Sequence, residues 1–145
     1  MADAMGMRVL GFDPYAKGVP GYVQTVDLAT IWAESDAISL HCPLTADNAR
    51  LLNAQTLAAC KRGVMIVNTA RGGLIDEAAL LQAIRSGQVA SAGLDSFAVE
   101  PLAAPHPFHG ERRITLSPHI GGVTADAYVK MGVGAAQNAL AVLRG

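Results

Sequence analysis

The sequence predicts an α/β domain built on a mostly parallel, doubly wound sheet. Short apolar runs alternate along the chain with stretches of helical spacing, the order that gives parallel strands joined by right-handed crossovers. Four of the strand runs stop at a polar residue or a proline, at Asp13, Cys42-Pro43, Asn68 and Asp95. One edge of the sheet should therefore carry a line of ligand contacts. The chain has 145 residues, enough for one domain with a real core, and is 51% hydrophobic but only 16% charged. Buried parallel strands and a subunit or domain interface would account for that apolar balance.

Taken in order, residues 7–14 read as a strand ended by Asp13 and by Pro14, which cannot continue a ladder. Residues 15–21 form a loop. Leu28, Ile31 and Trp32 carry helical spacing over 26–35, with Asp27 near the start. Residues 37–40 are a short buried strand ending at His41-Cys42-Pro43. Residues 48–60 read as one broken helix or two short ones, with Asn53 as a cap between them. Leu80, Leu81 and Ile84 share one face of the next helix, which stops at Ser86-Gly87, where glycine suits a left-handed position. Residues 89–95 form a strand, 100–111 a proline-rich loop, and 114–116 a last strand broken by Ser117-Pro118-His119. Thr124 can cap a long final helix, apolar at Ala127, Tyr128, Met131, Ala135, Leu140 and Leu143.

The chain is organised around residues 64–77. Val64-Met65-Ile66-Val67 fits a strand buried on both faces. The turn Asn68-Thr69-Ala70-Arg71-Gly72-Gly73 follows, its paired glycines free to take positive φ or to approach a ligand closely. A helix resumes with Asp76 as its cap and Glu77 in its first turn. Open α/β sheets bind ligands beyond the carboxyl ends of such strands, so the single arginine of this turn marks the expected chemistry.

Other classes are disfavoured. The net charge is −1 with Lys and Arg scattered, which leaves no footprint for nucleic acid, and no apolar run approaches a membrane span. The two cysteines, Cys42 and Cys60, lie inside apparent structural segments and no secretion signal is visible, so a reducing, cytoplasmic compartment is expected. His106-Pro107-Phe108-His109 lacks the accompanying Cys or acid pattern of a metal site, and no metal is expected.

A dinucleotide fold should also show G-x-G-x-x-G between its first strand and helix, with an acid for the ribose about 20 residues on. Asp13 suits that acid, yet only twelve residues precede it. Gly132-Val133-Gly134-Ala135-Ala136-Gln137 lacks the third glycine and sits within a helical pattern, so it is rejected.

Several ordered motifs now converge. Asn68 through Glu77, Gly93-Leu94-Asp95, Val99-Glu100-Pro101 and Ser117-Pro118-His119-Ile120-Gly121-Gly122 resemble the signature run of the D-isomer-specific 2-hydroxyacid dehydrogenases, which include phosphoglycerate, glyoxylate and hydroxypyruvate reductases. His41-Cys42-Pro43-Leu44-Thr45 and the stretch from Met5 to Pro14 fit the same pattern. The resemblance implies a Rossmann-like, NAD-binding domain over residues 1–145, lacking the first strand, the glycine loop and the substrate domain.

By that resemblance Arg71 holds the substrate carboxylate and polarises its 2-oxo group, and His119 is the general acid and base. Glu100 orients the imidazole and favours its charged form. A carboxylate at position 100, rather than an amide, favours proton-transferring hydroxyacid enzymes over the formate dehydrogenase branch. Asp95 binds the nicotinamide carboxamide and Asp13 the adenosine ribose, which favours NAD over NADP. Pro14, Cys42, Pro43, Thr69, Ala70, Arg71, His119 and Gly121 complete the implied cofactor contacts. Ser96-Phe97-Ala98 departs from the family, which often has a bulkier or acidic residue there.

Taken alone, each residue has a plainer role: Arg71 and Glu100 as solvated loop charges, His119 as a loop or capping residue, Asp13 and Asp95 as turn formers. Two functional classes follow. One is the cofactor domain of an enzyme acting on 2-hydroxy and 2-oxo acids, working as a homodimer. The other is a catalytically inactive remnant or an interaction module of dehydrogenase fold. Without a phosphate loop no helix N-terminus serves the pyrophosphate, so the isolated chain is expected to turn over negligibly. In the strand order 3-2-1-4-5-6 the missing strand is the middle one, leaving the strands at 7–14 and 37–40 with open edges. The chain should then collapse across the gap or associate through it.

Overall fold

The computed structural model describes residues 1–144. Its strands form two parallel ladders. In the first, β1 (Val9–Gly11) pairs with β2 (Val23–Thr25). The second has the order β3-β4-β5-β6, formed by Ala37–Leu40, Val64–Asn68, Val89–Leu94 and Ile114–Leu116. No ladder joins β1 to β3 among the described residues. The expected open edges are there, and no strand pairing closes the space between them.

Among the described residues three α-helices connect these strands, α1 (Leu28–Glu34), α2 (Ala54–Ala59) and α3 (Glu77–Arg85), and α4 (Ala125–Arg144) follows the last one. Their starts follow from side-chain chemistry. Asp27 accepts from the Thr30 N–H at 2.8 Å, and Asp76 from the Ala79 N–H at 3.0 Å. Asn53 and Thr56 form a reciprocal capping box at the head of α2. α3 ends where expected, with Gly87 left-handed at φ 75°.

The core lies between one face of the four-stranded sheet and α2 and α3. Strand register sets Ile38, Ile66, Ala92 and Ile114 in one row and Leu40, Asn68, Leu94 and Leu116 in the next. Leu57, Leu80, Leu81 and Ile84 from the helices close over them. Each fully buried Leu or Ile among them contributes about 1.5–3 kcal/mol by leaving water.

Three expectations need correction. β4 is not buried on both faces, because Met65 is 46% and Val67 38% exposed. β3 alternates in the same way, with Ala37 and Ser39 exposed. The face opposite α2 and α3 also carries Thr115, and no described element buries it. Residues 48–52 are not helical. They form turns, with Arg50 at φ 55° and Leu52 bridging to Ile75, so only the second half of the broken helix forms. β2 was not expected at all, since its strand character comes from pairing with β1 rather than from its own short sequence.

The glycines of the central turn also act differently from the expectation. Neither Gly72 nor Gly73 has positive φ; with Leu74 they form a single 3-10 turn. At Gly72 the need for glycine is steric, whereas at Gly73 only the end of the flexible Leu44 side chain stands in the way. A Cβ at position 72 would overlap the Phe97 backbone, and one at 73 would lie 2.6 Å from the Leu44 side chain. At Gly72 close approach is indeed the reason, but to the chain itself.

Candidate active site

The carboxyl ends of β3 to β6 bring together the loops at 41–45, 68–74, 95–101 and 117–122. Asn68, fully buried at the end of β4, shapes the arginine turn. Its Oδ1 accepts from the Ala70 N–H at 3.0 Å and its Nδ2 donates to the Arg71 carbonyl at 2.9 Å. The Arg71 side chain remains exposed, donating from Nη1 to the Ala70 carbonyl at 2.7 Å. Thr69 is exposed and Ala70 half-buried beside it. The Gly72 backbone packs on that of Phe97, which ties the arginine turn to the loop bearing Glu100.

Glu100 and His119, nineteen residues apart in sequence, meet in space. The imidazole Nδ1 lies 2.7 Å from Glu100 Oε2. The other carboxylate oxygen accepts from the Phe97 N–H at 2.9 Å, so both oxygens are engaged. The His119 hydrogen bond, then the Phe97 N–H and the charges of His119 and Arg71, hold the Glu100 carboxyl below its ordinary range. Arg71, Glu100 and His119 thus share one electrostatic neighbourhood.

Asp95 is buried at the end of β5 and accepts three hydrogen bonds from the His119 loop: Ser117 Oγ at 2.5 Å, Ile120 N–H at 2.9 Å and Gly121 N–H at 2.7 Å. The Ser117 hydroxyl is the largest cause of its lowered pKa, followed by those backbone donors and the charge of His119. Sequence reading gave Asp95 a cofactor contact or a turn-forming role and missed Ser117. The Ser-Pro break after β6 was the available signal, since a serine there has a free hydroxyl to donate.

Asp13 lies two residues beyond β1, exposed, with Oδ1 accepting from the Tyr15 N–H at 2.8 Å. Pro14 follows it in the same exposed loop. Cys42 is a half-buried free thiol past β3, 3.8 Å from Asn48 Nδ2, which also donates to the Pro43 carbonyl at 2.7 Å. Asp13 and Pro14 follow the two-stranded ladder, apart from the Glu100–His119 pair, whereas Cys42 and Pro43 follow β3 of the four-stranded sheet. Cys60 is buried at the end of α2, and burial pushes its thiol pKa up. His106 sits 3.6 Å from Glu77, whose other oxygen accepts from the Ala98 N–H at 2.9 Å. That pairing braces the 97–109 loop, a role for Glu77 that its place in the helix start did not reveal.

The family model described as D-isomer specific 2-hydroxyacid dehydrogenase, NAD binding domain, matches residues 1–121. The chain belongs to the D-isomer-specific 2-hydroxyacid dehydrogenases. It is 45% identical over 139 residues to a hydroxypyruvate reductase of Thermotoga maritima, a match covering 91% of this chain and 44% of that protein. Among solved structures, the TT0316 protein of Thermus thermophilus superposes with a TM-score of 0.93 at 41% identity, over 99% of this chain and 45% of that one. A D-lactate dehydrogenase of Treponema pallidum, TP0037, gives 0.90 at 35% identity, over 99% of this chain and 47% of that one. The chain therefore spans under half the length of each of these three proteins. No helix among the described residues is long and apolar enough to cross a membrane.

Proposed function

We propose that this chain is the cofactor-binding and proton-transferring part of an NAD-dependent dehydrogenase that interconverts 2-oxo acids and D-2-hydroxy acids. The observation that carries this reading is the Glu100–His119 pair at 2.7 Å with Arg71 charged beside it. A guanidinium fork suits a carboxylate bidentately and withdraws electron density from an adjacent carbonyl. Glu100 engages Nδ1, which leaves Nε2 to exchange a proton with the substrate oxygen. In reduction His119 donates that proton, and the anionic Glu100 stabilises the charged ring from which it leaves. In oxidation the neutral ring takes the proton back.

The residues fit a dinucleotide. Asp13 has only one oxygen engaged, so the other can accept from ribose hydroxyls, and its charge disfavours a 2′-phosphate. Asp95 uses three of a carboxylate's roughly four acceptor sites, which leaves one for an amide donor. Pro14, Cys42, Pro43, Thr69, Ala70 and Gly121 would line the same cofactor. When bound, NAD(H) supplies or accepts the hydride.

Two finer points belong to the same proposal. Both cysteines are free, which suits a reducing cytoplasm. The bare face of the four-stranded sheet and the open edges of β1 and β3 favour association with a second copy. NADH titration followed by fluorescence tests the central claim. Saturation below about a millimolar, weakened at least about tenfold (1.4 kcal/mol) by Asp13→Asn, is expected. Absence of saturation would overturn the reading for this chain.

A further inference from the structure

The loop carrying His119 holds a backbone conformation that a histidine does not favour. Its φ of 56° is left-handed, where the Cβ crowds the carbonyl. Such a residue persists only where its surroundings over-determine it. Asp95 supplies that constraint. Its three donors bracket the histidine: Ser117 Oγ two residues before it, and the N–H groups of Ile120 and Gly121 just after it. The His119 N–H adds a bond to the Ser117 carbonyl at 3.0 Å. At Gly121 a Cβ would lie 2.8 Å from Asp95 Oδ2, so a side chain there would push the third donor off its acceptor. Three of the hydrogen bonds that hold the loop thus end on one buried carboxylate, one of them from the Ser117 hydroxyl.

We infer that Asp95 and Ser117 form a clamp that imposes the left-handed turn at His119 and thereby aims its imidazole at Glu100. Ser117 is on this account a positioning residue for proton transfer, and Asp95 is one in addition to any contact with the cofactor. The inference rests on reading His119 as the proton-transfer group, but the clamp itself is a property of the polypeptide. It can be measured without cofactor or substrate.

The test is a titration of the Glu100 side-chain carboxyl by carbon-13 NMR in the chain and its Ser117→Ala, Ser117→Thr and Asp95→Asn variants. The hydrogen bond from His119 is the largest cause holding Glu100 low, so the midpoint of Glu100 reports whether the imidazole is still aimed at it. Ser117→Ala and Asp95→Asn should raise that midpoint toward the ordinary value of about 4.3. The HN–Hα coupling of His119 should leave its left-handed value at the same time. Ser117→Thr keeps the hydroxyl and should keep the wild-type midpoint.

An unchanged midpoint in both Ser117→Ala and Asp95→Asn overturns the clamp. A threonine variant that rises as far as the alanine variant overturns the part given to the hydroxyl. Where Ser117→Ala loses its cooperative thermal transition, Ser117→Cys, of similar shape but a weaker donor, supplies the same comparison. Failure of NADH to saturate would overturn the dehydrogenase reading and leave these midpoints untouched, so the two failures are distinguishable.

Discussion

The carboxyl edge of β3 to β6 and the helix α4 show two ways a sequence can be satisfied. At the sheet edge, buried Asn68 shapes its own turn through Ala70 and Arg71, and buried Asp95 reaches across to the His119 loop through long-range hydrogen bonds. In α4, twenty residues make a regular helix in which none is buried. Tyr128, Met131, Leu140 and Leu143 are all exposed, Leu143 at 81%. Helix propensity and the Thr124 cap, which accepts from the Ala127 N–H at 3.1 Å, are enough to define α4 locally. They give it no tertiary anchor, and most helical stability in proteins comes from packing an apolar face. The lesson is that periodicity marks a face meant for burial without saying what buries it.

The contrast is sharpest in paired truncations. Ile66→Ala, within the fully buried row of β4, should cost about 2–5 kcal/mol in urea unfolding. Leu140→Ala in α4 should stay within about 0.5 kcal/mol. A cost for Leu140→Ala approaching that of Ile66→Ala would break the comparison, because α4 would then be packed in solution, for instance against a second copy.

A smaller effect is expected at the seam between the arginine turn and the Glu100 loop. Gly72→Ala places a methyl group where the Phe97 backbone lies, and overpacking of this kind costs about 1–3 kcal/mol. Because the turn must move, the same variant should weaken NADH binding, whereas a Gly134→Ala change in α4, with nothing near its Cβ, should not. Thermal melts and NADH titrations of the two variants check both parts.

The mildest effect lies in acid. Glu100 and Asp95 both have lowered pKa values in the folded chain, so the unfolded chain binds more protons between the folded and unfolded values. Their stabilisation is therefore fully present above about pH 4.3, the ordinary carboxylate range, and is lost as pH falls through the lowered folded values. The stability gap between wild type and Glu100→Gln, measured by urea midpoints, should be largest near neutrality and shrink toward pH 3. A gap that widens in acid would contradict the pairing with His119.

Much of this protein was determined by local sequence. The strand and helix alternation, the caps at Asp27, Asn53 and Asp76, and the glycine stop at Gly87 depend on residues within a turn or two of each other. The motif runs that carry the family resemblance are likewise contiguous. Tertiary structure decided the rest, because it depended on which distant groups came within reach. β2 exists through its partner β1, and Met65 and Val67 are exposed because no described element covers their face. Gly72 is needed because Phe97 arrives beside it. Asp95 grips a loop 22 to 26 residues away, and the left-handed His119 follows from that grip. Hydrogen bonds act over about 3 Å of space with no regard to sequence separation, so no spacing rule could reveal which loop Asp95 holds.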